Sequence, residues 1–215
     1  MEEGIFATKI KYIENIPAQP KREMILSRLG YRNNITVLSK EDVRLIDECI
    51  SLGGILCKPS GVYTIVPIVN KNEAVITLDN GISFHGEGLA KLLKDSNSVL
   101  LMASTVGREV TDRVAAEVEK GNAAYGLILD SVASQTADAA LDWIVQFLKK
   151  LLPREGKDLT RHRYSPGFGD LSLSYQKDIF DALKLEKLGM ALTEKFMLVP
   201  EKSVIAIAGI EERIG

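Results

Sequence analysis

Arg161-His-Arg-Tyr-Ser-Pro-Gly-Phe-Gly-Asp170, followed after a short spacer by Tyr175-Gln-Lys-Asp-Ile-Phe180, is the stretch on which the reading of this chain turns. Basic and aromatic residues run into a Pro-Gly reversal, in which glycine readily takes positive φ, and then into an amphipathic helix. One short loop therefore presents a guanidinium, an aromatic face and backbone donors together. Local composition alone also allows a plain structured turn. As a ligand loop, it has chemistry suited to a small zwitterion: the Arg163 fork matches a carboxylate, and Tyr164 or Phe168 offers a ring to a cation or a flat base. Gly167 lets the backbone approach closely because it has no Cβ.

Working outward, Leu183 to Phe196 and then Pro200-Glu-Lys-Ser203 contain a second pattern, Gly-x-x-Leu-Thr, then Pro-x-x-Ser, on Gly189, Leu192, Thr193, Pro200 and Ser203. With Arg163, Gly167 and Phe168, this resembles the S-adenosylmethionine-binding reactivation domain of cobalamin-dependent methionine synthase, in which an Arg precedes a Gly-aromatic pair by four residues. The resemblance is clearest from Tyr125 to Gly209 and thinner from Val62 to Lys120, and Phe168 stands where the family usually has Tyr. It implies a stand-alone domain that binds S-adenosylmethionine through Arg163, Tyr164, Ser165, Pro166, Gly167 and Phe168. It also implies partners: a methionine synthase whose cobalamin has oxidised to cob(II)alamin, and a flavodoxin- or ferredoxin-type reductant. Cobalamin itself would come only with the partner. Two other readings stay open at this point, a corrinoid-protein scaffold that has lost the ligand and a small-molecule methyltransferase with a Rossmann-like sheet.

The rest of the chain agrees with one domain over 1–215, a helical cap at 1–60 and a sheet with helices at 61–215 that carries the ligand loop at 161–170. Alternation at Phe6, Ile10 and Tyr12 predicts a strand, and Lys21–Leu29 a short helix stopped at Gly30. A second helix begins at Lys40 and is expected to end at Gly53-Gly54. Val62–Val69 and Ala74–Leu78 are β-branched strands, with Pro67 implying an edge or a bulge. Asp79-Asn-Gly81 is a turn, Gly88–Lys94 a short helix, and Val99–Ala103 a continuous apolar strand of the kind that sits centrally. Val106, Val110, Val114 and Val118 form one helical stripe. Ala123–Leu152 reads as the long core helix, with Leu127, Ile128, Val132, Leu141, Ile144, Leu148 and Leu151 inward. The fold class expected is α+β, a twisted and largely antiparallel sheet flanked by helices.

Composition removes several functions. With 27 basic and 29 acidic residues the net charge is -2 and no block of like charge runs five or more residues, so nucleic acid, which needs a concentrated basic face, is not an expected partner. No apolar run approaches a membrane span and no leader is evident, so a cytoplasmic location is expected. Cys49 and Cys57 lack metal-type spacing and read as buried free thiols. His162 has no nucleophile or metal constellation around it. Ser104-Thr-Val-Gly107 is read first as a capped helix start and second as the edge of a ligand site. His85-Gly-Glu-Gly88 reads as a solvated turn rather than an acid/base pair. Asp130, Ser131, Ser134, Gln135 and Asp138, on one side of the long helix, are expected to face water before a polar site.

Overall fold

The computed structural model describes residues 9–32 and 35–213. Phe6, the first residue of the expected N-terminal strand, lies outside them; the strand is seen as β1, Lys11–Ile13. Then follow α1 (Arg22–Arg28), α2 (Lys40–Leu56), β2 (Ser60–Lys71), β3 (Val75–Leu78), β4 (Ser83–His85), α3 (Glu87–Leu92), β5 (Ser96–Thr105), α4 (Glu109–Glu119) and α5 (Ala123–Leu151). The last third holds β6 (Lys157–Leu159), α6 (Tyr175–Leu183), β7 (Ala191–Leu192), β8 (Leu198–Val199) and β9 (Ser203–Glu212). The main sheet runs β4-β3-β2-β5-β9-β6 with β1 added to β2. Every strand pairing among the described residues is antiparallel. The architecture is therefore α+β, and the parallel Rossmann-like alternative is excluded.

Period-two alternation splits the central strands between two cores. Val99, Leu101, Ala103, Ile205 and Ile207 meet α3 and α6 on one face. Leu100, Met102, Ala206, Ala208 and Ile210 meet Leu141, Ile144 and Leu148 of α5 on the other. β5 lies between β2 and β9, so its continuous apolar run has the cause expected of it: both faces are covered. β1 pairs with β2 at Gly61–Tyr63 and β3 pairs with it from Ile68, where the register shifts. Pro67, whose carbonyl accepts from Asp79 N–H at 3.0 Å, stands between these two stretches. Its missing donor thus interrupts no ladder bond on that side.

α1 and α2 form the expected cap by packing Ile25, Ile46 and Cys49 on Ile128 and Val132 of α5, while β1 joins the same N-terminal segment to the sheet. α2 starts with a full capping box on Ser39 and Asp42. It does not stop at Gly53-Gly54 but continues to Leu56. Gly53 is needed for close approach, because a Cβ there would run into Val132 Cγ1. Leu127, assigned inward from periodicity, is 60% exposed, since it lies in the first turns of α5 on the side turned away from Ile128 and Leu129. Nor does Ser104-Thr-Val-Gly107 cap a helix: α4 has no side-chain cap. Ser104 and Thr105 belong to β5, and Ser104 Oγ donates to the Ala137 carbonyl at 2.8 Å. Trp143 and Phe147 stack on α5 with centroids 5.4 Å apart, against the α5 core. Cys49 and Cys57 are buried free thiols, each pushed by burial up to about 11. Among the described residues no helix is long and apolar enough to cross a membrane.

Candidate functional site

After β6 the chain keeps to the edge of β9. Thr160 N–H donates to the Gly209 carbonyl at 2.9 Å, and Tyr164 exchanges two backbone bonds with Ile207, at 2.8 and 2.7 Å. The Arg163 loop therefore starts from a rigid sheet edge, which is what a precise binding loop requires. It turns through Gly167 (φ 91°) and Gly169 (φ 55°), and the Gly167 N–H donates to the Leu171 carbonyl at 2.8 Å. At these angles an L side chain is strained, so both glycines are needed here.

The Tyr164 side chain explains the tightness of this turn. Its ring packs on the α3/α6 core, and its hydroxyl donates to Asp170 Oδ1 at 3.3 Å. Asp170 in turn accepts from Gly88 N–H at 3.2 and 3.3 Å, one distance to each carboxylate oxygen. A Cβ on Gly88 would lie 2.6 Å from the Tyr164 hydroxyl, and one on Gly169 would overlap it. So the His85–Gly88 segment serves as a backbone seat for the Arg163 loop. The Gly88 bond, above all, holds the Asp170 carboxyl below the usual carboxylate range, with the Tyr164 bond helping. For a carboxyl depressed on folding, the stabilisation is complete above the unfolded value of about 3.9 and disappears as pH falls through the lower folded value. We predict that the Asp170 carboxyl resonance titrates below that of a free aspartate and moves upward in Tyr164→Phe. A midpoint at the free value would mean the latch does not form.

A cleft of about 810 Å³ opens beside the loop, lined by Arg163, Tyr164, Ser165, Pro166 and Phe168 together with Ser134, Asp138 and Gln176. Five of the six residues expected from the sequence thus face one cavity, and the sixth, Gly167, makes the turn that puts them there. Phe168 is 70% exposed and forms the rim. His162 is not among the lining residues. The Gly189–Ser203 pattern builds the opposite edge. Thr193 and Met197 close a hairpin between β7 and β8, with Thr193 N–H donating to the Met197 carbonyl (2.9 Å) and Met197 N–H to Thr193 Oγ1 (3.0 Å). Ser203 Oγ donates to the Pro200 carbonyl at 2.7 Å and meets Thr105 Oγ1 at 2.8 Å. These bonds fix Met197, Ser203 and Ile205 in the cleft wall.

The polar side of α5 was expected to meet water first, and here the structure corrects the sequence. Ser131 and Ser134 are buried, Asp130 pairs with Lys202 at 2.6 Å, and Asp138 pairs with Arg163 at 3.3 Å. Arg163 also bonds Asp142, a residue the sequence reading did not single out. Its guanidinium is therefore already shared between two carboxylates, with its remaining N–H groups left for a ligand. Gln176 Oε1 is shielded and has no hydrogen-bond partner among the described residues. A buried acceptor in a cleft wall fits a ligand that brings its own N–H or O–H. Among the described residues no group of three or more His, Cys, Asp or Glu is placed to hold a metal.

The sequence matches no family model and none of the curated proteins. Among solved structures it is similar to one described as the crystal structure of the MetH reactivation domain bound to AdoHcy, at 15% identity and a TM-score of 0.73, over 94% of this chain and 78% of that one. At that identity the likeness speaks for architecture alone: this chain shares its fold with the MetH reactivation domain.

Proposed function

We propose that this protein binds S-adenosylmethionine in the 810 Å³ cleft and supports the reductive methylation of cob(II)alamin on a separate cobalamin-dependent methionine synthase. The observation that carries the reading is the convergence of Arg163, Tyr164, Ser165, Pro166 and Phe168 on one cavity. The solved relative of the same fold holds S-adenosylhomocysteine, the product of that methyl transfer, which supports the ligand class.

The chain's own part is binding and placement. Arg163, fixed to α5 by Asp138 and Asp142, keeps the loop against the cleft and supplies leftover donors. Ser134, Ser203 and Gln176 offer hydroxyl and amide groups to ribose and base. Phe168 at the rim gives the ligand an aromatic edge and leaves its reactive end open to a docked partner. When docked, the partner's cobalt would supply the electron-transfer and methyl-accepting chemistry, with one electron from a flavodoxin- or ferredoxin-type donor. No proton transfer is needed at the transferred methyl group, so the reading asks for positioning and not for a general base.

Titration calorimetry of the isolated protein should show one site for S-adenosylmethionine and for S-adenosylhomocysteine, with a melting temperature that rises with ligand concentration. In the partner assay, the cobalamin spectrum of an oxidised methionine synthase without its own activation domain should convert to the methylated form only when this protein, S-adenosylmethionine and reductant are all present. No binding at millimolar ligand would leave a scaffold for corrinoid proteins. Conversion at equal speed without this protein would refute the reactivation role.

A further inference from the structure

The charged groups lining the cleft fall into two sets. Arg163 is committed to Asp138 and Asp142, and Lys202 to Asp130. Arg28 and Glu201 line the same cleft, are exposed, and make no ion pair or side-chain hydrogen bond with any described residue, each other included. They are one cation and one anion, Arg28 at the end of α1 and Glu201 in the connection between β8 and β9. Resting on the adenosyl-ligand reading above, we propose that Arg28 and Glu201 hold the amino-acid end of the ligand, Arg28 taking the carboxylate and Glu201 the ammonium.

Two physical reasons favour these residues over the paired ones. A charge already bonded to a neighbour must loosen that bond before it meets a ligand, whereas an uncommitted charge sheds only water. Their backbones are also fixed where the side chains are free. Arg28 ends α1, whose Ile25 is fully buried on α5. Glu201 lies between buried Pro200 and Lys202, itself held by Asp130. The planar guanidinium fork suits a carboxylate, and a carboxylate accepts the N–H bonds of an ammonium. This gives the N-terminal cap a place in ligand recognition, since α1 supplies one of the two charges.

The test is calorimetry on the full chain with three ligands: S-adenosylmethionine, S-adenosylhomocysteine, and 5′-methylthioadenosine, which lacks the amino-acid end. Arg28→Gln and Glu201→Gln should each weaken the first two about tenfold, as loss of a charge-assisted bond implies. Both should leave 5′-methylthioadenosine affinity and the melting temperature unchanged. Unchanged affinity for S-adenosylmethionine, or an equal loss for 5′-methylthioadenosine, would overturn the proposal while the adenosyl site stands. Equal wild-type affinity for 5′-methylthioadenosine and S-adenosylmethionine would overturn it in the same way. A wild-type protein that binds none of the three would instead refute the site itself.

Discussion

Arg163→Ala should weaken S-adenosylmethionine binding by about ten- to a hundredfold, the equivalent of roughly 1.5–3 kcal/mol for a charge-assisted contact. Two effects act in the same direction. The ligand loses the remaining N–H donors of the guanidinium, and Asp138 and Asp142 lose the cation they share, so uncompensated negative charge is left at the side of the cleft. The cost in stability should be small, below about 1 kcal/mol, because the two aspartates are substantially exposed and such pairs are screened by water. Arg163→Lys should not restore affinity: an ammonium cannot bridge two carboxylates and still present a planar fork. Calorimetry gives the affinities and thermal melting the stability. Equal affinity in mutant and wild type would show that the loop is only a turn.

Gly209→Ala should have the largest effect on stability. Gly209 is on β9, paired with Val99 of the central strand β5. A Cβ there would overlap Ser96 Oγ and lie 2.7 Å from Thr160 Cγ2 and 2.9 Å from Leu93 Cδ2. The serine hydroxyl can rotate away, but Thr160 is held through its own hydroxyl, which accepts from Gly209 N–H at 3.0 Å, and Leu93 is fully buried. Overpacking of this kind costs about 1–3 kcal/mol, which in a chain of this size lowers the melting temperature by about 2–4 °C per kcal/mol. Because Thr160 precedes the Arg163 loop on the β9 edge, ligand affinity should fall as well. An unchanged melting temperature would show that the edge strand yields freely.

The fold was legible wherever burial on both faces imposed a pattern. Val99–Ala103 announced the middle of the sheet, and the β-branched run after Gly61 its neighbour. It was less legible where one residue type serves two ends. Gly53 looks like a helix stop, yet it is interior to α2 because Val132 needs its missing side chain. Leu127 kept the helical period but met no neighbour across it. In the site, the Arg163 loop was readable because its residues are consecutive. Gln176, Arg28 and Glu201 reach the same cleft from three separate places in the chain, Asp142 reaches Arg163 from α5, and no spacing rule connects them. Asp138 stood in a polar stripe that looked like a wet helix face, since periodicity tells which side of a helix a residue takes but not what lies opposite.

The pairing of β5 with β9 joins residues 96–105 to residues 203–212, so the hydrophobic middle of the sheet is bounded on one side by a strand made about a hundred residues later. During synthesis β5, already next to β2, must wait with its other edge unpaired until about a hundred further residues have been added and the long connection from β5 to β9 closes. Such long-range closure makes folding slow and late. Until then the unpaired edge of β5 is open to other chains, the kind of exposed strand edge at which partly folded chains associate.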